Sequence, residues 1–177
     1  MNAQTPTQPI RFYHRGSIVE VGDAQPTRSV LDWLREDAHC TGTKEGCNEG
    51  DCGACTVVVA ELAADGAPGA INGLQLRTVN ACIQFLPTLH GKALFTVEDL
   101  ARTCKPAACP AGSSAAAPDL HPVQQAMVEC HGSQCGFCTP GFVMSLWSVY
   151  EHSQAQQAAQ PSRQQLADAL SGNLCRC

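Results

Sequence analysis

Gly46-Cys-Asn-Glu-Gly-Asp-Cys-Gly-Ala-Cys55 is the stretch that decides how this chain is read. Its three cysteines stand as Cys47-x4-Cys52-x2-Cys55, and Cys82 lies downstream to complete a quartet. The C-x4-C-x2-C…C spacing is the plant-type [2Fe–2S] signature. The glycines matter as much as the cysteines. A cluster held by four thiolates is an anion, and burying an anion requires donors close by. Gly46, Gly50 and Gly53 let the backbone turn its N–H groups inward toward sulfur. Asn48, Glu49 and Asp51 are left to face water at the rim.

A second quartet lies further on, Cys135-x2-Cys138 with Cys175-x-Cys177. Here the device differs. Cys138 precedes Thr139-Pro140, a helix start whose partial positive charge would face the site. Gly136 allows close approach, and Cys175 follows a Gly-Asn helix stop. Converging helix ends predict a buried centre. This spacing alone fits zinc as well as iron. The other four cysteines, Cys40, Cys104, Cys109 and Cys130, have no ligand spacing, and Cys130 reads as a small buried hydrophobe. His121 and His131 read as structural.

The 177 residues carry twelve cysteines and a net charge of −5, with 44% hydrophobic and 15% charged residues. The eleven Lys and Arg residues form no basic run, so nothing favours nucleic acid. No apolar stretch approaches the roughly 20 residues that span a bilayer. Met1–Pro9 is polar and lacks a secretory pattern. The expectation is a cytoplasmic protein whose thiols bind metal rather than pair as disulfides. No Ser/His/Asp or paired-carboxylate arrangement supports hydrolysis.

Elements follow from pattern. Ile10–His14 and Ser17–Val21 read as a hairpin turning at Arg15-Gly16. Thr27 caps a helix over Arg28–Asp37. Thr41–Cys55 is a loop, Thr56–Leu62 a β-branched strand, and Ala63–Gly73 a long connection. Leu76–Ala81 is a strand delivering Cys82, and Leu94–Val97 is a last short strand. Beyond a linker rich in Ala, Pro, Ser and Gly the period becomes helical. Helices are expected over Pro122–Cys130, over Pro140–His152 capped by Thr139, and from a Ser162/Gln165 capping box to Leu170. Gln-rich Ala155–Gln160 reads as an exposed connection. The fold class is α+β, with domains at 1–103 and 120–177 and a linker at 104–119.

Gly42-Thr-Lys-Glu-Gly-Cys-Asn-Glu-Gly-Asp-Cys-Gly-Ala-Cys-Thr-Val57 resembles the first iron–sulfur loop of the molybdenum hydroxylases. Gly132-Ser-Gln-Cys-Gly-Phe-Cys-Thr-Pro-Gly-Phe142 resembles the second, and Asn173-Leu-Cys-Arg-Cys177 its closing half. With Asn80-Ala-Cys82 these run in family order along the whole chain. Leu120-His-Pro-Val-Gln-Gln-Ala-Met127 and His131-Gly-Ser-Gln134 are most similar to the iron–sulfur subunit of the bacterial xanthine dehydrogenase branch.

The resemblance implies a β-grasp, ferredoxin-like domain followed by an all-α four-helix bundle, with one [2Fe–2S] cluster in each. It implies that Cys47, Cys52, Cys55 and Cys82 hold the cluster nearer flavin. Cys135, Cys138, Cys175 and Cys177 would hold the one nearer molybdenum, and Gln134 would contact the molybdopterin. The implied partners are a molybdopterin-binding large subunit, where purine is hydroxylated, and an FAD-binding domain or subunit that passes electrons to NAD. Aldehyde-, carbon monoxide- and other N-heterocycle-oxidising relatives share the pattern, and a zinc-stabilised interaction module is the remote alternative. Two departures stand out: a longer Cys138–Cys175 spacing, absorbed by Ser153–Gln160, and a lengthened linker. Family members continue past the last cysteine with Thr-Gly-Tyr and then a flavin domain. This sequence stops at Cys177, which reads as a fragment, a truncated product or a separately encoded subunit.

Overall fold

The computed structural model describes residues 8–101, 120–156 and 160–175. Chain order begins with strands β1 (Ile10–His14) and β2 (Ser17–Val21) and helix α1 (Val30–Glu36). Strands β3 (Thr56–Leu62), β4 (Leu74–Asn80) and β5 (Ala93–Phe95) follow, then the short helix α2 (Val97–Leu100). The helical part holds α3 (Pro122–Glu129), α4 (Thr139–Ala155) and α5 (Arg163–Ala169). The linker 104–119, with Cys104 and Cys109, lies outside the described residues.

One mixed five-stranded sheet has the order β2-β1-β5-β3-β4. The β1–β2 hairpin forms at the expected residues, Ile10 opposite Val21 and His14 opposite Ser17. Arg15 and Gly16 both take positive φ, 50° and 85°, the geometry of a tight two-residue hairpin turn. β1 pairs parallel with β5, while β3 runs antiparallel to both β5 and β4.

The interior strand β3 is buried from Thr56 through Ala60. Alternate side chains of a strand point to opposite faces. Val57 and Val59 enter one core with Phe12, Leu31, Trp33, Leu34 and Leu94, beneath α1. Val58 enters a second core with Leu100, Val143, Met144 and Trp147, beneath α4. Phe95 leans on Trp147 with ring centroids 5.4 Å apart. An unbroken apolar run is what a strand covered on both faces requires. The helical part therefore lies on the sheet and shares its core.

Several boundaries move. α1 starts at Val30, not Arg28, because Ser29 is the cap: its hydroxyl accepts from the Asp32 N–H at 3.0 Å. Ser29 is held extended by a bridge to Phe85, which keeps Thr27 and Arg28 outside the helix. α4 starts at Thr139, with Cys138 as its cap residue rather than Thr139, and runs to Ala155, so part of the Gln-rich insertion is helix. The expected strand over Leu94–Val97 is shorter, and Thr96 opens α2 with a capping box to Asp99. A 3-10 turn at Leu86–Leu89 was not expected. Residues 120–175 hold three described helices, α3, α4 and α5; besides α3 and α5, α4 is touched by α2, which precedes the linker. Cys130 is exposed rather than buried: α3 ends at Glu129 and Cys130 is its C-cap residue.

His121 caps α3. Its Nδ1 accepts the Val123 N–H at 3.2 Å, and Nε2 lies 3.5 Å from Glu151. Burial lowers its pKa, and the nearby Glu151 only partly offsets this. The ring is thus neutral at pH 7 in the folded and unfolded chain alike. Below the ordinary value of 6.5 the unfolded chain takes up the proton first. Stability contributed here is present above that pH and is lost as pH falls beneath it. Denaturant midpoints should drop more between pH 7 and pH 5 for the natural protein than for His121→Asn, which keeps a capping side chain. Met144→Ala, in the α4 core, should cost about 2–5 kcal/mol by the same measurement.

Candidate functional site

The first loop is anchored on every side before any cysteine is considered. Arg35 donates to Thr43 O at 3.0 Å, and the Gly42 N–H donates to Glu98 Oε1 at 2.7 Å. Lys44 N donates to Ala54 O at 3.3 Å and closes the base of the loop. Asn80, two residues before Cys82, donates from its amide to Gly50 O at 2.5 Å. Asn48, Gly50 and Gly53 have positive φ of 56°, 83° and 67°.

These turns aim N–H groups at sulfur. Cys47 Sγ accepts from Asp51 N at 3.4 Å and from Cys52 N at 3.3 Å, while Cys47 N donates to Cys52 Sγ at 3.4 Å. The Glu49, Cys52 and Asp51 amides draw the Cys47 thiol down to about 7, so the thiolate is accessible at neutral pH. A Cβ at Gly46 would lie 2.8 Å from Cys52 Sγ, so only glycine fits beside that sulfur.

The four cysteines meet in pairs. Cys47 and Cys52 are half-buried and share hydrogen bonds. Cys55 and Cys82 are buried and interact through their side chains, and Cys55 also feels Cys52 electrostatically. Burial pushes the Cys55 thiol up to about 12. Among the described residues, no three Cys, His, Asp or Glu side chains group around a single metal ion. Two thiolates per iron is the demand of a two-iron core, and this donor set fits it.

The second quartet is described at three positions; Cys177 lies outside the described residues. Cys135 and Cys175 are exposed, and Cys138 is half-buried at the head of α4. The expectation of a centre buried within the bundle is therefore corrected: these cysteines sit on the turns outside the helices, where the apolar packing has ended. Gly136 between them has φ of 81°. Gln134, next to Cys135, is exposed.

What the sequence did not reveal is how closely the two sites adjoin. The Leu174 N–H donates to Cys52 O at 2.9 Å. Asn173 Nδ2 donates to Gly53 O at 3.0 Å. A Cβ at Gly53 would fall 2.2 Å from Gly172 O, and one at Gly141 would fall 2.2 Å from Gly53 O. The only sign of this in the sequence was glycine at positions with no turn to make, as at Gly141 within α4.

The fold and these loops define a two-centre iron–sulfur protein. Residues 12–85 match the 2Fe-2S iron-sulfur cluster binding domain, and residues 111–177 match the [2Fe-2S] binding domain. The second match begins inside the segment read as linker. The chain is 40% identical over 171 residues to xanthine dehydrogenase of Blastobotrys adeninivorans, covering 97% of this chain and 10% of that protein. It is 38% identical over 166 residues to aldehyde oxidase 1 of Rattus norvegicus, covering 94% and 11% respectively. The chain thus spans about a tenth of the length of these curated relatives. The solved structure of quinoline 2-oxidoreductase from Pseudomonas putida 86 superimposes with a TM-score of 0.66 at 28% identity, over 98% of this chain and 85% of that one. The chain thus carries two [2Fe–2S]-binding domains in sequence, with homologues among xanthine dehydrogenases and aldehyde oxidases. Among the described residues no helix is long and apolar enough to cross a membrane.

Gly141→Ala should pry α4 from the first loop. Hydrogen exchange at Thr56 and Asn173 should rise, whereas Gly22→Ala, with open space and ordinary φ, should change stability by less than about 0.5 kcal/mol.

Proposed function

We propose that this chain relays electrons, one at a time, within a molybdenum hydroxylase that oxidises xanthine or a related purine. Cys47, Cys52, Cys55 and Cys82 hold one [2Fe–2S] cluster, and Cys135, Cys138, Cys175 and Cys177 hold the other. When bound, each cluster supplies a carrier that cycles between states one electron apart. The residues of the chain do the rest. The amides of Glu49, Asp51 and Cys52 stabilise negative sulfur, Gly46 and Gly53 permit close approach, and α4 turns its positive end toward Cys138. The observation that carries the reading is the N–H lining of Cys47, whose thiol is already poised for ligation.

In this reading Gln134 contacts the molybdopterin of a large subunit, and its exposure beside Cys135 leaves it accessible for that role. The 55/82 and 47/52 pairs lie nearer an FAD-binding domain or subunit, from which electrons reach NAD. The protein works in the cytoplasm, where its thiols stay reduced. A second reading, in which the partner chain oxidises an aldehyde or another N-heterocycle, draws on the nearly equal identity to aldehyde oxidase and on the likeness to quinoline 2-oxidoreductase.

Purified anaerobically, the protein should contain about four irons and four sulfides per chain and give two distinct EPR signals on reduction. Cys47→Ser should abolish one signal and Cys135→Ser the other. A colourless protein holding zinc would overturn the reading. Isolation with its large partner chain, followed by anaerobic addition of xanthine, an aldehyde or quinoline, should bleach the clusters only with the true substrate.

A further inference from the structure

Residues 172–175 lie across the first cysteine loop. The Leu174 N–H donates to Cys52 O at 2.9 Å, and Leu174 directly precedes Cys175. A single hydrogen bond thereby joins a cysteine of each quartet through the backbone. The residue before it fixes this contact. Asn173 Nδ2 donates to Gly53 O at 3.0 Å and to Thr56 Oγ1 at 3.2 Å. Its Oδ1 accepts from Ser145 Oγ, in α4, at 2.7 Å.

The polarity of these contacts selects the side chain. Thr56 Oγ1 gives its proton to Gly53 O at 2.7 Å, so its lone pairs face Asn173. Position 173 must therefore donate toward Gly53 and Thr56 and accept from Ser145. An amide does both; a carboxylate would set oxygen against oxygen. The glycine contacts at Gly53 and Gly141 leave no slack for another arrangement.

We propose that Asn173 is a positioning residue for electron passage between the two clusters, and that the Leu174–Cys52 hydrogen bond it fixes is the bonded route. This rests on the reading of both quartets as cluster ligands. A crossing removes one electron from one iron pair and adds it to the other; no bond forms or breaks and no proton moves.

The test uses the full chain reconstituted anaerobically with ferrous iron and sulfide. Natural protein, Asn173→Ala, Asn173→Asp and Ser145→Ala are compared by iron and sulfide content and by EPR of the fully reduced state. Two reduced clusters held close together split each other's signals, and the splitting reports their mutual placement. The expected result is full iron in all four proteins, with the splitting lost in both Asn173 variants and diminished in Ser145→Ala. Full iron with unchanged splitting overturns the proposal. Should the Asn173 variants fail to load the second quartet, Ser145→Ala decides, since it leaves Asn173 in place but unoriented. Unchanged splitting there also overturns the proposal. A natural protein that takes up no iron overturns the reading of the quartets, which is a separate failure.

Discussion

The carbonyl of Gly53 is the point on which this molecule closes. It accepts from the Thr56 N–H at 3.1 Å, from the Thr56 hydroxyl at 2.7 Å and from the Asn173 amide at 3.0 Å. Behind it, the missing side chain of Gly141 leaves room for the backbone of α4 to press in. A buried carbonyl stranded without donors would be costly, so three donors from two distant parts of the sequence amount to a firm tether. Because Gly53 lies between Cys52 and Cys55, the tether sits inside the first cysteine loop. Helix α4 and residues 172–174 are thus tied to that loop.

The sheet makes the same union from the other side. A ferredoxin-like sheet with one solvated face would show alternating polar residues on its interior strands. β3 does not: Val57, Val58 and Val59 run on without a break and are all buried. Each valine withdrawn from water contributes on the order of 1.5–3 kcal/mol. Val58 is withdrawn largely by the helical part, through Val143, Met144 and Trp147, with Leu100 of α2 beside them.

Legibility followed the range of the interaction. The β1–β2 hairpin and β3 were readable to the residue, because turn chemistry and β-branched runs are local. The gathering of Cys47, Cys52 and Cys55 on one turning loop was readable because the loop carries its cysteines and glycines within ten positions. Ser29 displaced Thr27 as a cap through a bridge to Phe85, more than fifty residues away, which no local pattern contains. α2 was missed because four residues are too few to show a period, and its Thr96–Asp99 box was hidden behind the strand signal. Asn173 was legible as a helix stop but not as a clamp, since its partners lie about 120 and 28 residues away. The exposure of Cys135 and Cys175 was missed because convergence of helix ends says nothing about which side of the bundle they reach.

Helix α4 is held in common by what the sequence presents as two modules. Its N-cap is Cys138, and its middle roofs the sheet. A cut between residues 101 and 120 would leave Val58 and Phe95 bare on one piece and Met144 and Trp147 bare on the other. Neither piece is a portable part: a chimera that borrows one half must bring a replacement lid for the surface it uncovers.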